Sequence, residues 1–242
     1  MTTTDANPHA HDSEPHGGGL ANRLNRLRAG VLGANDGIVS TAGIVVGVAA
    51  AGAARGPIFT AGIAALAAGA VSMALGEYVS VSTQRDTEAA LLIKERRELA
   101  DDPDAELDEL AGLYEAKGLS SATAHQVARE LTEHDALAAH ADAELHLDPE
   151  ELVNPWMAAV SSAISFTLGA LLPLIAVLLP PQSWRVPTVF IVVLAALALT
   201  GTIGALLGGA KPLRPTLRVM VGGAIAMGVT YGIGTAFGTA VA

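Results

Sequence analysis

The chain contains no cysteine. Disulfides, thiolate-bound metals and cysteine nucleophiles are therefore excluded. Charge is scarce: Asp, Glu, Lys and Arg make up 16% of the 242 residues, where soluble domains carry about 25%. What charge there is lies in one place. Residues 82–153 hold 19 Asp/Glu against 6 Lys/Arg, and no acid follows Glu151. So acidic a polar part argues against a nucleic-acid partner. The first twenty residues have no apolar run, so no cleavable signal peptide is expected.

In place of charge the chain has long apolar runs, and 51% of its residues are hydrophobic. Five stretches, at about 32–53, 57–81, 155–179, 187–209 and 217–241, each approach the ~20 residues that cross a bilayer core. The reading is an all-α membrane protein with five transmembrane helices. Gly, Ala, Ser and Thr recur through all five, and pairs such as Gly43/Gly47, Gly204/Gly208 and Gly234/Gly238 set small residues on one helix face. Such faces let backbones approach closely in lipid, within one bundle or between two copies.

Arginines and lysines give an orientation. Arg23, Arg26 and Arg28 precede the first stretch; Arg85, Lys94, Arg96 and Arg97 follow the second; Lys211, Arg214 and Arg218 lie between the fourth and fifth. The other side has Arg55 and Arg185. The positive-inside rule then puts the N-terminus and the insert in the cytoplasm and the C-terminus outside. The expected organisation is a polar His-containing tail (1–22), two membrane helices (23–81), a cytoplasmic acidic helical insert (82–153) and three further membrane helices (154–242).

Within the insert three helices are expected. The second membrane helix continues until Asp101-Asp102-Pro103 stops it. A short helix runs to Gly118, and a third is capped by Ser120 or Ser121 and extends through Leu145. Glu95/Glu98 and Glu106/Glu109 are i, i+3 pairs that share helix faces. Brought together around the Pro103 turn, they would present four carboxylates. The third helix can add Glu130 and Glu133, or His140 and Glu144. Carboxylates with an imidazole and no thiolate suit Mn²⁺ or Fe²⁺, whereas a solvated acidic surface is the alternative.

Only two acids interrupt the apolar regions: Asp36 in the first stretch and Glu77 in the second. A charge at the bilayer centre costs about 2.5–3.5 kcal/mol or more, and such residues usually line an ion path or pair with one another. Met73 lies one turn before Glu77 on the same helix face. Beside carboxylates its thioether favours a transition metal.

Three segments, "NDGIVSTAGIVVGVA", "AVSMALGEYVSVSTQRD" and "NPWMAAVSSAISFTLGALLPL", together resemble the vacuolar iron transporter family, in its nodulin-like and bacterial branch. The resemblance implies a homodimer whose metal path lies between the first and second helices of the two copies. It implies export of Fe²⁺, and often Mn²⁺, from the cytosol in exchange for protons, with no prosthetic group. It places the family's first-helix acid on Asp36, its second-helix Met on Met73, and its paired glutamates on Glu95, Glu98, Glu106 and Glu109. A Met–Glu pair of the family aligns with His140 and Glu144, so imidazole stands for thioether. Where some members carry a further second-helix acid, this chain has Ala65.

The expected function is thus a proton-coupled divalent-metal exporter, not an enzyme, in a prokaryotic plasma membrane, with a vacuolar membrane as the alternative. Its partners are a second copy, the metal ion, protons and the bilayer. Competing readings are a membrane-anchored metal sensor without transport, a transporter of another ion such as Ca²⁺, and a di-metal ferroxidase. The last is opposed by the lack of ExxH motifs.

Overall fold

The computed structural model describes residues 19–149 and 153–241; the tail carrying His9, His11 and His16 lies outside them. The described residues form seven α-helices and no strand. They are α1 (Gly19–Ala50), α2 (Arg55–Asp101), α3 (Pro103–Ala116), α4 (Ser121–His140), α5 (Pro155–Leu178), α6 (Arg185–Leu207) and α7 (Leu213–Val241). A π-helical turn, Ala141–Leu145, extends α4. Five helices (α1, α2, α5, α6 and α7) are long and apolar enough to span a membrane. The chain divides into two compact units, one within Glu88–Leu152 and the other within Leu24–Thr87 and Val153–Ala242.

The membrane unit packs around Ile38, Ala42, Val45 and Val46 of α1, Ile58 of α2, Leu174 and Val177 of α5, Val189, Val193 and Leu197 of α6, and Met227 of α7. Lipid is as apolar as leucine, so close packing rather than water exclusion must hold such a core. Missing side chains make the closeness attainable. A Cβ on Gly37 would overlap the Phe166 carbonyl of α5, and one on Gly169 would overlap the Ala34 carbonyl of α1. Gly43 and Gly47 meet Thr230 of α7, and Gly234 and Gly238 meet Gly47 and Ala51. These small-residue faces therefore join helices of one chain.

Helix ends follow local chemistry. Asn154 accepts hydrogen bonds from the backbone N–H groups of Trp156 (3.0 Å) and Met157 (3.3 Å), with Pro155 in the first turn of α5. Two arginines fasten connections of the membrane unit to each other. Arg55 donates to the Pro180 carbonyl (3.2 Å) just beyond α5, and Arg185 donates to the Ala53 carbonyl (3.3 Å) just beyond α1. Both cations thereby sit where the C-terminal dipole of a helix favours them.

Of the membrane helices, α2 is the least covered. In its most apolar stretch 11% of residues are buried, against 44% in α1 and α5. Phe59, Ile63, Val71, Leu75 and Val79 are all exposed along it.

The insert unit has its own small core of Leu110, Ala111, Ala124, Ala128 and Ala143. Asp102 caps α3 by accepting from Ala105 N–H (3.2 Å), and Gly118 ends it at φ 103°. The third insert helix is not continuous as the sequence pattern suggests. Asp135 leaves helical geometry (φ −160°, ψ 99°), and its carboxylate caps the following segment at Ala138 N–H (3.0 Å). A side chain that competes for backbone N–H groups is a natural place for such a break.

Candidate metal site

In the insert unit, α2 supplies Glu95, α3 supplies Glu106, and the segment after the Asp135 break supplies His140 and Glu144. Ligand atoms of Glu95, His140 and Glu144 all lie within 4.8 Å of one another. His140 Nδ1 is 3.0 Å from Glu95 Oε1 and 3.7 Å from Glu106 Oε2. The Glu95 and His140 side chains are 4% and 1% exposed. Even so, the short contact is not aligned as a hydrogen bond. Glu95 Oε1 and both ring nitrogens of His140 are left without a hydrogen-bond partner. Each such buried orphan costs about 1–3 kcal/mol, and a cation held between Glu95 Oε1 and one ring nitrogen of His140 would satisfy those two atoms.

The electrostatics agree. Burial, and then the charges of Glu144, Glu106, Glu98 and Glu109, raise Glu95 from the ordinary carboxylate range to about 7. Burial also raises Glu106, helped by Glu109. Burial lowers His140 even though Glu144 and Glu109 pull the other way. A neutral imidazole is the form that ligates metal. The cluster is thus poised for a positive charge it does not itself contain. The π-helical turn, a feature frequent at functional sites, carries Glu144 in the segment that directly follows His140. It closes with His146 in the left-handed region (φ 53°) and Leu147 N–H on the Ala141 carbonyl (2.8 Å).

The other expected ligands are placed differently. Glu98 is engaged by Lys94 Nζ at 2.7 Å. Glu109 is exposed and reaches the cluster through its charge. Glu130 is bonded by Gln126 (3.0 Å) and Glu133 is exposed, so the third insert helix contributes His140 and Glu144 instead. The Lys94–Glu98 contact has the i, i+4 spacing of a helical ion pair, which is its signal in the sequence.

In the membrane unit, Asp36 is exposed on α1, while Met73 and Glu77 are half-buried on α2. Among the described residues, neither carboxylate takes part in a hydrogen bond or ion pair; Ser40 donates to the Asp36 backbone carbonyl (2.6 Å). The neighbour of Asp36 is occupied otherwise: Asn35 Oδ1 accepts from Thr200 Oγ1 of α6 at 2.6 Å.

A model of the VIT family matches residues 27–235, nearly the whole described chain. The chain belongs to the VIT family of vacuolar iron transporters. Among curated VIT-family relatives, "Vacuolar iron transporter" of Acanthamoeba castellanii is 44% identical over 226 residues, covering 93% of this chain and 83% of its own length. "Vacuolar iron transporter homolog 1" of Oryza sativa subsp. japonica is 39% identical, covering 98% and 86%. "Vacuolar iron transporter homolog 2.1" of Arabidopsis thaliana is 34% identical, covering 90% and 84%. VIT-family membership and five spanning helices define a multi-pass membrane protein.

Proposed function

We propose that this chain exports Fe²⁺, and Mn²⁺ as a second substrate, from the cytosol in exchange for protons, as a homodimer. The observation that carries the reading is the Glu95–His140–Glu144 cluster, in which the buried, orphaned Glu95 Oε1 and His140 Nδ1 lie 3.0 Å apart in a transporter-family chain. Three carboxylates and an imidazole without sulfur, counting Glu106, form a ligand set suited to Fe²⁺ and Mn²⁺. Glu98 and Glu109 add negative charge around it. The insert collects the ion on the cytosolic side, and Asp36, Met73 and Glu77 of two copies carry it across.

The membrane step follows from the cost of a carboxylate in lipid. Asp36 is compensated by a metal ion in one half of the cycle and by a proton in the other, so the two exchange. Met73 adds a soft ligand that discriminates against Ca²⁺ and Mg²⁺. The uncovered face of α2 supports a second copy, because α2 is the least buried of the five spanning helices. A chain of this organisation fits a prokaryotic plasma membrane, with the N-terminus and insert cytoplasmic and the C-terminus outside.

Proteoliposomes with an acidic interior test the reading. Fe²⁺ uptake should dissipate the proton gradient, and Asp36→Ala should abolish both. Uptake that ignores the gradient would remove antiport; uptake unchanged in Asp36→Ala would remove the membrane site.

A further inference from the structure

The segment of α1 around Asp36 is braced from two sides. On one side Asn35 Oδ1 accepts the 2.6 Å hydrogen bond from Thr200 Oγ1 of α6. On the other, Gly37 lies so close to α5 that a Cβ would overlap the Phe166 carbonyl, and a Cβ on Gly33 would come within 2.9 Å of the Ser162 carbonyl. With 3.6 residues per turn, Asn35 and Gly37 lie about 100° to either side of Asp36 on the helix circumference. Gly204 of α6 also meets Val31 of α1, at 3.3 Å from where its Cβ would be. Asp36 is exposed between these contacts.

We infer that Asn35, held by Thr200, is the positioning residue for Asp36: the Asn35–Thr200 hydrogen bond sets the rotation of α1, and so the direction in which the Asp36 carboxylate points. The glycine contacts fix the distance between α1 and α5 and confine the rotation of α1 to the range in which no side chain meets the Ser162 and Phe166 carbonyls; within that range they set no direction. The hydrogen bond is directional and joins α1 to a third helix. Its loss would leave a polar amide in an apolar bundle, with rotation of α1 as the way to find another partner. Asn35 therefore acts through its neighbour and not on the ion. This inference rests on the transport role proposed for Asp36.

The test compares Fe²⁺ uptake by proteoliposomes containing wild type, Thr200→Val, Thr200→Ser, Asn35→Ala and Asp36→Asn, each adjusted for folded protein by size-exclusion chromatography. A badly folded variant lowers the maximal rate and leaves the half-saturating Fe²⁺ concentration of the remaining transporters unchanged. Mispositioning raises that concentration, by about tenfold for a displacement well under 1 Å. Thr200→Val and Asn35→Ala should both show that rise, and Thr200→Ser should restore the wild-type value. If Thr200→Val is not recovered folded, Asn35→Ala decides alone. A wild-type half-saturating concentration in Asn35→Ala or Thr200→Val, alongside loss of transport in Asp36→Asn, overturns the positioning role only. Normal transport by Asp36→Asn overturns the role of Asp36 itself, and this inference with it.

Discussion

The Nδ1 atom of His140 lies 3.0 Å from a carboxylate oxygen of Glu95, and burial moves the two groups in opposite directions, Glu95 up and His140 down. Both moves favour the uncharged forms. The contact between them is that of two groups held toward their uncharged forms, not of an ion pair.

Metal binding by the insert should therefore depend steeply on pH. Glu95 ligates only as a carboxylate, and its value of about 7 means that protons compete with metal throughout the mildly acidic range. Affinity for Mn²⁺ should fall by up to about tenfold for each pH unit below 7 and level off above it. Calorimetry on the full chain in buffers of different ionisation enthalpy should also show protons released on binding. A flat profile between pH 5.5 and 7.5 would count against Glu95 as a ligand.

Stability of the metal-free protein should respond to the same group. The folded state binds a proton on Glu95 more tightly than the unfolded chain does. The associated stabilisation is complete below the ordinary value of 4.5 and is lost as pH rises toward about 7. Glu95→Gln mimics the protonated form. After chelation it should melt higher than wild type above pH 7, with the difference vanishing near pH 4.5. A gain that is the same at both pH values would point to a cause other than ionisation.

The α1–α5 contact predicts an intolerance to one methyl group. Gly37→Ala places a Cβ against the Phe166 carbonyl, so the helices must separate. A destabilisation of about 1–3 kcal/mol is expected, read as a lower melting temperature in detergent. Gly76→Ala, where nothing lies within 4 Å of the new carbon, should not lower it, since Ala is the better helix former.

Absence of cysteine makes the proposed dimer directly testable. Val71→Cys and Leu75→Cys, on the exposed stripe of α2, should form disulfide-linked dimers when membranes are oxidised. Ile225→Cys on α7 is equally exposed and should not. Equal cross-linking at all three positions would indicate random collision in the membrane.

The sequence showed the five spans and the acidic insert because long apolar runs and proline stops are local signals. It also placed Glu95 and Glu98 on one face, but a three-residue spacing does not say which of two neighbours is buried. Only the packing of α3 and the broken α4 against α2 turns Glu95 inward. Glu98 stays at the surface with Lys94. The turn at Asp135 was hidden by its surroundings, since Ala and Leu on either side favour a helix. The Thr200–Asn35 bond spans 165 residues, and nothing in the local pattern of either partner signals the other.

Arg55 and Arg185 each bind a backbone carbonyl across two connections of the membrane unit. Neither a guanidinium nor a peptide oxygen changes its protonation in physiological conditions. In the proposed orientation these connections face the compartment from which protons are drawn. That rim is thus fastened by two guanidinium-to-carbonyl bonds, whereas the insert, on the cytosolic side in the same proposed orientation, contains groups that answer to pH. One protein can then stand in two solutions of different acidity, sensing the first and holding its shape in the second.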